Sequence, residues 1–288
     1  MTELAGTQRV QVGAGTSRAG RDLPRAVAVG LGLLGVVLAS LLWRKELFLL
    51  LAVLACGAAL WELAQAFARR HLHLPLLPVL VGSTGILVSA YVAGAEAMFV
   101  AFLLTAGGVV VWRVLDGSGT PALRDAAAGT FATAYIPLMG GFVMLMLAAP
   151  DGPARVLLFV LLAVASDTGG YVAGVLAGKH PLAPSVSPKK SWEGLGGSLL
   201  LAATVGAVGL WLAFDASPLL GVVLGVAAVL TATLGDLAES LLKRDLELKD
   251  MGSLLPGHGG VLDRLDSLLL TAPLVHTVLL VALPAVGD

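Results

Sequence analysis

Asp236, Asp250, Asp263 and Asp266 fall in one short stretch with the cations Lys243, Arg244, Lys249 and Arg264 and the turn Pro256-Gly257-His258-Gly259-Gly260. Carboxylate oxygens are hard ligands for a divalent cation such as Mg²⁺, and Lys and Arg beside them hold phosphate oxygens. Little side-chain bulk hinders the run Gly257, His258, Gly259, Gly260, so its backbone N–H groups can turn toward an anion. The chemistry within reach is the handling of a metal-bound polyphosphate, which needs positioning and charge compensation and no side-chain nucleophile. Asp236, Ser240 and Lys243 are spaced i, i+4 and i+7, on one face of a helix, and Asp263 and Asp266 share a face in the first turn of another. Two helix ends therefore bring Asp236 and Asp263 to one place, with water and phosphate oxygens left to complete a Mg²⁺ shell.

A second polar stretch runs from Ser166 to Gly194. Asp167 stands inside an apolar run, where an ionised carboxylate is costly unless it is paired or faces a polar cavity, and that makes it a functional candidate. Ser187-Pro188-Lys189-Lys190 supplies a hydroxyl, a stiff turn and two adjacent ammonium groups, which suit a triphosphate as well as they suit a membrane anchor. Gly170, Gly174 and Gly178 recur every fourth residue and read as a close helix contact.

The elements that carry these residues are membrane helices. The chain is 57% hydrophobic and only 13% charged over 288 residues, with a mean hydropathy of +0.92, too apolar for a water-soluble globule. Runs long enough to cross a bilayer can be cut at 26–43, 47–66, 75–95, 97–112, 126–149, 154–178, 194–214, 218–235 and 261–284. The expected fold is an all-α, polytopic integral membrane protein with about nine transmembrane helices. It divides into a tail (1–25), an N-terminal helical part (26–150) and a C-terminal part (151–288) holding the polar segments 179–193 and 236–260. Arg44-Lys45 after the first span leaves no small-residue cleavage site, so that span reads as an anchor. With the N-terminus inside, all of the 18 Lys and Arg except Arg44, Lys45 and Arg155 fall on the cytoplasmic side, as positive loops should. Both polar stretches then share that side, in the plasma (inner) membrane of a bacterium.

Other features are bounded more simply. A net charge of −1 excludes a phosphate-backbone binder, so no nucleic acid is expected. Cys56 is the single cysteine and reads as a small buried hydrophobe. Glu62 either lines the cavity or reaches the interface, and Glu239 is either an i,i+4 partner of Lys243 or part of the site. His71 and His73 lack a third ligand, and His276 reads as a hydrogen-bonding residue between helices.

The pattern Ser240-x-x-Lys243-Arg244-x4-Lys249-Asp250-x-Gly252-x-x-Leu255-Pro256-x-His258-Gly259-Gly260-Val261-x-Asp263-Arg264-Leu265-Asp266 resembles the complete signature of the phosphatidate cytidylyltransferases (CDP-diacylglycerol synthases). Ser166 to Tyr171 and Ser187 to Gly194 extend the resemblance over the C-terminal half. It implies the reaction of CTP with phosphatidic acid to give CDP-diacylglycerol and pyrophosphate, dependent on Mg²⁺, in an all-helical membrane fold. It implies Asp236 and Asp263 as the metal carboxylates. Asp167, Lys243, Arg244, Asp250, His258, Arg264 and Asp266 are the further catalytic candidates, and Ser187, Lys189, Lys190, Gly257, Gly259 and Gly260 are the candidates for holding CTP. A second cation such as K⁺ and a homodimer are left open.

The nearest rival is a CTP-dependent polyprenol or phytol kinase, which shares an Asp…Gly…Gly…Ser-Pro-Lys-Lys arrangement but not the 240–266 pattern. Asp151-Gly152-Pro153-Ala154-Arg155 is one residue too short for the CDP-alcohol phosphotransferase motif and lacks its second half. A transporter would account for the spans and Asp167, but not for two polar stretches on one face.

Overall fold

The computed structural model describes residues 23–255 and 259–283. The expected tail therefore lies almost wholly outside the described residues. Helices α1 (Leu23–Trp43), α2 (Lys45–Ala68) and α3 (Leu76–Asp116) come first. Helices α4 (Thr120–Thr133) and α5 (Met139–Ala148) follow, joined by a π-helical turn, Ala134–Leu138, that contains Pro137. Then come α6 (Gly152–Ala177), the strands β1 (Pro181–Ala183) and β2 (Ser187–Ser191), α7 (Trp192–Phe214), α8 (Pro218–Asp245) and α9 (Leu262–Ala282). The protein is all-α and polytopic apart from the hairpin β1–β2, in which Pro181 faces Ser191 and Ala183 faces Ser187.

Among the described residues seven helices, counting α4 to α5 as one, are long and apolar enough to cross a membrane, with the shorter apolar stretch Gly32–Trp43 beside them. Nine spans were expected: one of the two not counted is that shorter stretch of α1, and the other arises in α3. Its backbone leaves the helical region at Gly94 (φ 83°, ψ −168°), a conformation open to glycine and strained for other residues. A Cβ on Gly82 would collide with the side chain of Thr105, so the segments on either side of Gly94 fold back on each other. The count depends on whether these two limbs are taken as one helix or two.

The C-terminal helices approach through small residues. A Cβ on Gly169 of α6 would lie 2.4 Å from the Gly197 carbonyl of α7, and one on Gly235 of α8 would lie 2.6 Å from the Asp266 carbonyl of α9. Backbones in such contact bring short side chains on neighbouring helices within reach of one another. The i, i+4 spacing of Gly170, Gly174 and Gly178 has the same use, since these glycines meet Gly194, Ser191 and Ser198 at the start of α7. Ser191 caps that helix by accepting the Gly194 N–H at 3.1 Å.

Polar ties hold the connecting segments together at the end of the bundle where α2 finishes and α9 begins. Arg70 pairs with Glu247 at 2.8 Å and donates to the Asp245 carbonyl at 2.9 Å. Asp125 accepts the His73 N–H at 2.8 Å and pairs with Arg113 at 2.6 Å. Lys45, at the opposite end of α2, bonds the Ala149 carbonyl.

Candidate active site

The end of α8 and the start of α9 meet the middle of α6 around a cavity of about 350 Å³. Asp167 from α6, Asp236 and Lys243 from α8, Asp250 from the following loop, and Asp263, Arg264, Asp266 and Ser267 from α9 line it. A second cavity of about 220 Å³ opens between α6, α7 and α8. It shares Asp167, Asp236 and Ser267 with the first, adds Ser166, Lys190, Ser191, Ser198 and Thr233, and is otherwise walled by Gly170, Tyr171, Gly174, Leu182, Gly194, Leu195 and Ala232.

The acidic side chains are held by specific partners. Lys243 reaches both Glu239 and Asp263, each at 2.6 Å. Asp263 also accepts the Gly260 N–H at 2.7 Å and the Met251 N–H at 3.1 Å. Asp236 is ion-paired with Lys190, which the hairpin β1–β2 carries over the end of α8. That hairpin is fastened by Arg244, whose Nε donates to the Val186 carbonyl at 2.7 Å. Asp266 accepts the N–H of Ser267 at 2.6 Å. Asp167 lines the same cavity as Asp236, Asp266 and Arg264, with Lys190 in the adjoining one.

Residues 25–282 match the Cytidylyltransferase family. This chain belongs to that family. It is 41% identical over 282 residues to the phosphatidate cytidylyltransferase of Mycobacterium leprae (strain TN), across 92% of this chain and 89% of that protein. It is 38% identical over 280 residues to the phosphatidate cytidylyltransferase of Mycobacterium bovis (strain ATCC BAA-935 / AF2122/97), across 92% and 90% of the two chains. The phosphatidate cytidylyltransferase of Haemophilus influenzae (strain ATCC 51907 / DSM 11121 / KW20 / Rd) shares 41% over 150 residues, 48% of this chain and 51% of that one.

For a cytidylyltransferase-family chain, the sequence-predicted set divides into three groups. Asp167, Asp236, Lys243, Asp250, Asp263, Arg264 and Asp266 converge on the larger cavity, and Lys190 stands where it joins the smaller one. Arg244 and Ser187 line neither cavity. Arg244 is engaged with a backbone carbonyl and Ser187 pairs with Ala183 at the far end of β2. Gly257, His258 and the Lys189 side chain lie outside the described residues. Gly259 has φ 83°, and the Gly260 N–H, read from the sequence as open to an anion, is turned onto Asp263 instead. Glu239 resolves to a buried partner of Lys243 at the base of the site.

Sequence reasoning left Glu62 between two readings, and it takes neither. Its carboxylate is 1% exposed and accepts the N–H of Leu262, at the start of α9, at 2.9 Å. The signal available was an acid inside an apolar helix, which marks importance but not a partner. Ser267, Ser198 and Thr233 are cavity residues that carried no signal of their own.

The residues present fit a hard divalent cation. Five carboxylates against Lys243 and Arg264 leave the larger cavity with surplus negative charge, although the substrates the sequence pattern implies are anions. Among the described residues no three His, Cys, Asp or Glu side chains form a metal-holding group by themselves. Oxygen donors that rely on water and phosphate to complete a shell are the arrangement Mg²⁺ favours.

Proposed function

We propose that the two joined cavities are where CTP and phosphatidic acid react, at the cytoplasmic face of a bacterial plasma membrane and with Mg²⁺. The reaction is CTP plus phosphatidic acid to CDP-diacylglycerol plus pyrophosphate. The observation that carries it is that Lys243, Asp250, Asp263, Arg264 and Asp266 of the 240–266 pattern meet Asp167 and Asp236 around one acid-lined cavity, in a chain belonging to the cytidylyltransferase family. The names of the relatives support the same substrates.

In the step itself, an oxygen of the phosphatidic acid phosphate bonds to the α-phosphorus of CTP. The bond from that phosphorus to the bridging oxygen breaks, and pyrophosphate leaves with the electron pair. Both reactants are anions, so much of the barrier is repulsion. Lys190 and Lys243 reach phosphate oxygens by exchanging Asp236 and Asp263 as partners, and Arg264 adds a planar fork of donors. Asp236 and Asp263 would hold Mg²⁺, with Asp167 and Asp266 beside them. Bound Mg²⁺ supplies charge neutralisation at the α-phosphate and the leaving group. The larger, charged cavity suits the triphosphate, and the smaller one suits the glycerol phosphate with its acyl chains leaving along Tyr171 and Leu195 toward lipid. All of these residues come from one chain, so the reading requires no second copy.

CTP labelled at the α-phosphorus tests this. Label should enter a chloroform-soluble product only when phosphatidic acid is present, with unlabelled pyrophosphate released. Label entering lipid from the γ-phosphorus alone, with a lipid alcohol as acceptor, would establish the kinase instead.

A further inference from the structure

Glu62 is buried in α2 with its carboxylate aimed at the backbone that carries the site, not into the cavity. Its Oε2 accepts the Leu262 N–H at 2.9 Å, and its Oε1 has no hydrogen-bond partner among the described residues. Helix α9 receives no side-chain cap from its own N-cap residue, Val261. A helix start presents unpaired N–H groups and a partial positive charge, and Glu62 answers both from another helix.

The loop before α9 closes on this carboxylate from two sides. A Cβ on Gly252 would lie 2.1 Å from Glu62 Oε1, and one on Gly260 would lie 2.5 Å from Oε2. Asp263 grips the same loop through the N–H groups of Met251 and Gly260. The loop backbone therefore lies between two carboxylates, with amides turned to both. Like charges so placed hold position only while those amides stand between them.

We infer that Glu62 is a positioning residue that caps α9 and clamps the backbone at Gly252 and at Gly260 to Leu262, and so sets the direction in which Asp263 faces the cavity. The inference rests on the reading of Asp263 as a carboxylate of the reaction. Glu62 touches no substrate. Gln in its place keeps an acceptor for Leu262 and the shape that Gly252 and Gly260 close upon, whereas Ala removes both.

The test compares Glu62→Gln, Glu62→Ala, Gly252→Ala and the double variant Glu62→Ala/Gly252→Ala as purified full-length proteins. With cap loss taken as the main effect, Glu62→Ala should lower kcat about 10- to 30-fold with little change in KM for either substrate, and Glu62→Gln should stay within about 5-fold. Amide exchange at Met251, Gly260 and Leu262 should quicken at least about 10-fold in Glu62→Ala while amides in α7 keep their rates. Gly252→Ala should be costly beside Glu62 and nearly neutral in the Glu62→Ala background, because the clash is with that carboxylate. Glu62→Gln as damaging as Glu62→Ala would overturn the inference, as would unchanged exchange at the three amides. Equal cost of Gly252→Ala in both backgrounds would overturn it as well. Should Glu62→Ala fail to insert, Gly252→Ala in the Glu62→Asp background reads the same coupling, because the arm is one methylene shorter: the cost of the new methyl should fall there, and an unchanged cost would overturn the inference. An active Asp263→Asn variant would remove the underlying reading of Asp263, while amide exchange still reports whether Glu62 holds the loop.

Discussion

The two cavities share Asp167, Asp236 and Ser267, yet their other walls differ in kind. The larger is lined by carboxylates, Lys243, Arg264 and Ser267, and the smaller by glycines, leucines, Tyr171 and hydroxyls, with Lys190 as its cation. Charged walls suit a reactant that arrives from water with its own counter-ion. Walls that mix polar and apolar side chains suit a headgroup that carries acyl chains. On the proposed reading the reactants meet at the shared wall, where Asp236 is ion-paired with Lys190 of the smaller cavity.

The strongest way to break that comparison is to disable the charged cavity. Asp236→Asn and Asp263→Asn should each lower turnover at least about 100-fold while the protein still inserts, because the charge stabilisation lost is worth several kcal/mol. Rates measured at saturating CTP, phosphatidic acid and Mg²⁺ decide it, and a near-wild-type rate in either variant would remove the metal assignment. Chelating divalent cations should abolish turnover of the unaltered protein, with recovery on adding Mg²⁺. Activity that survives chelation would leave the surplus carboxylates unexplained.

Next in size is the shared wall. Lys190→Ala should raise KM for both CTP and phosphatidic acid about 10-fold, the loss of one charge-assisted contact, because Lys190 lines the smaller cavity and pairs with Asp236, which both cavities share. An unchanged KM for CTP, with only expression reduced, would make Lys190 an anchor for the hairpin. The smallest effect belongs to the outer, mixed wall of the smaller cavity. Tyr171→Ala should raise KM for phosphatidic acid about 3- to 5-fold and leave that for CTP alone, since only contact area is removed. A larger effect on CTP than on phosphatidic acid would reverse the assignment of the two cavities.

Much of this site was legible from residue types and spacing. Asp236 and Lys243 share a helical face by the period of 3.6 residues, and Asp263 and Asp266 by the same rule, so their convergence needed only that α8 and α9 meet. Arg244 shows the limit of that reasoning. It adjoins Lys243 in sequence but points about 100° away around the helix, and there it meets the Val186 carbonyl. Gly260 shows another limit: an open-looking amide is turned onto the nearest buried carboxylate, that of Asp263.

By itself the sequence determined that the chain is an all-α membrane protein and which charged residues are the candidates for its chemistry. Apolar runs of bilayer length and two polar stretches dense in chemistry-bearing residues are local properties, readable without coordinates. Only the tertiary structure decided that α3 folds back at Gly94, that the site is two cavities with one common wall, and that Glu62 holds the start of α9. Those outcomes depend on which backbones approach closely enough for short side chains to touch. Such approaches join residues far apart in the chain, and neither periodicity nor composition records them.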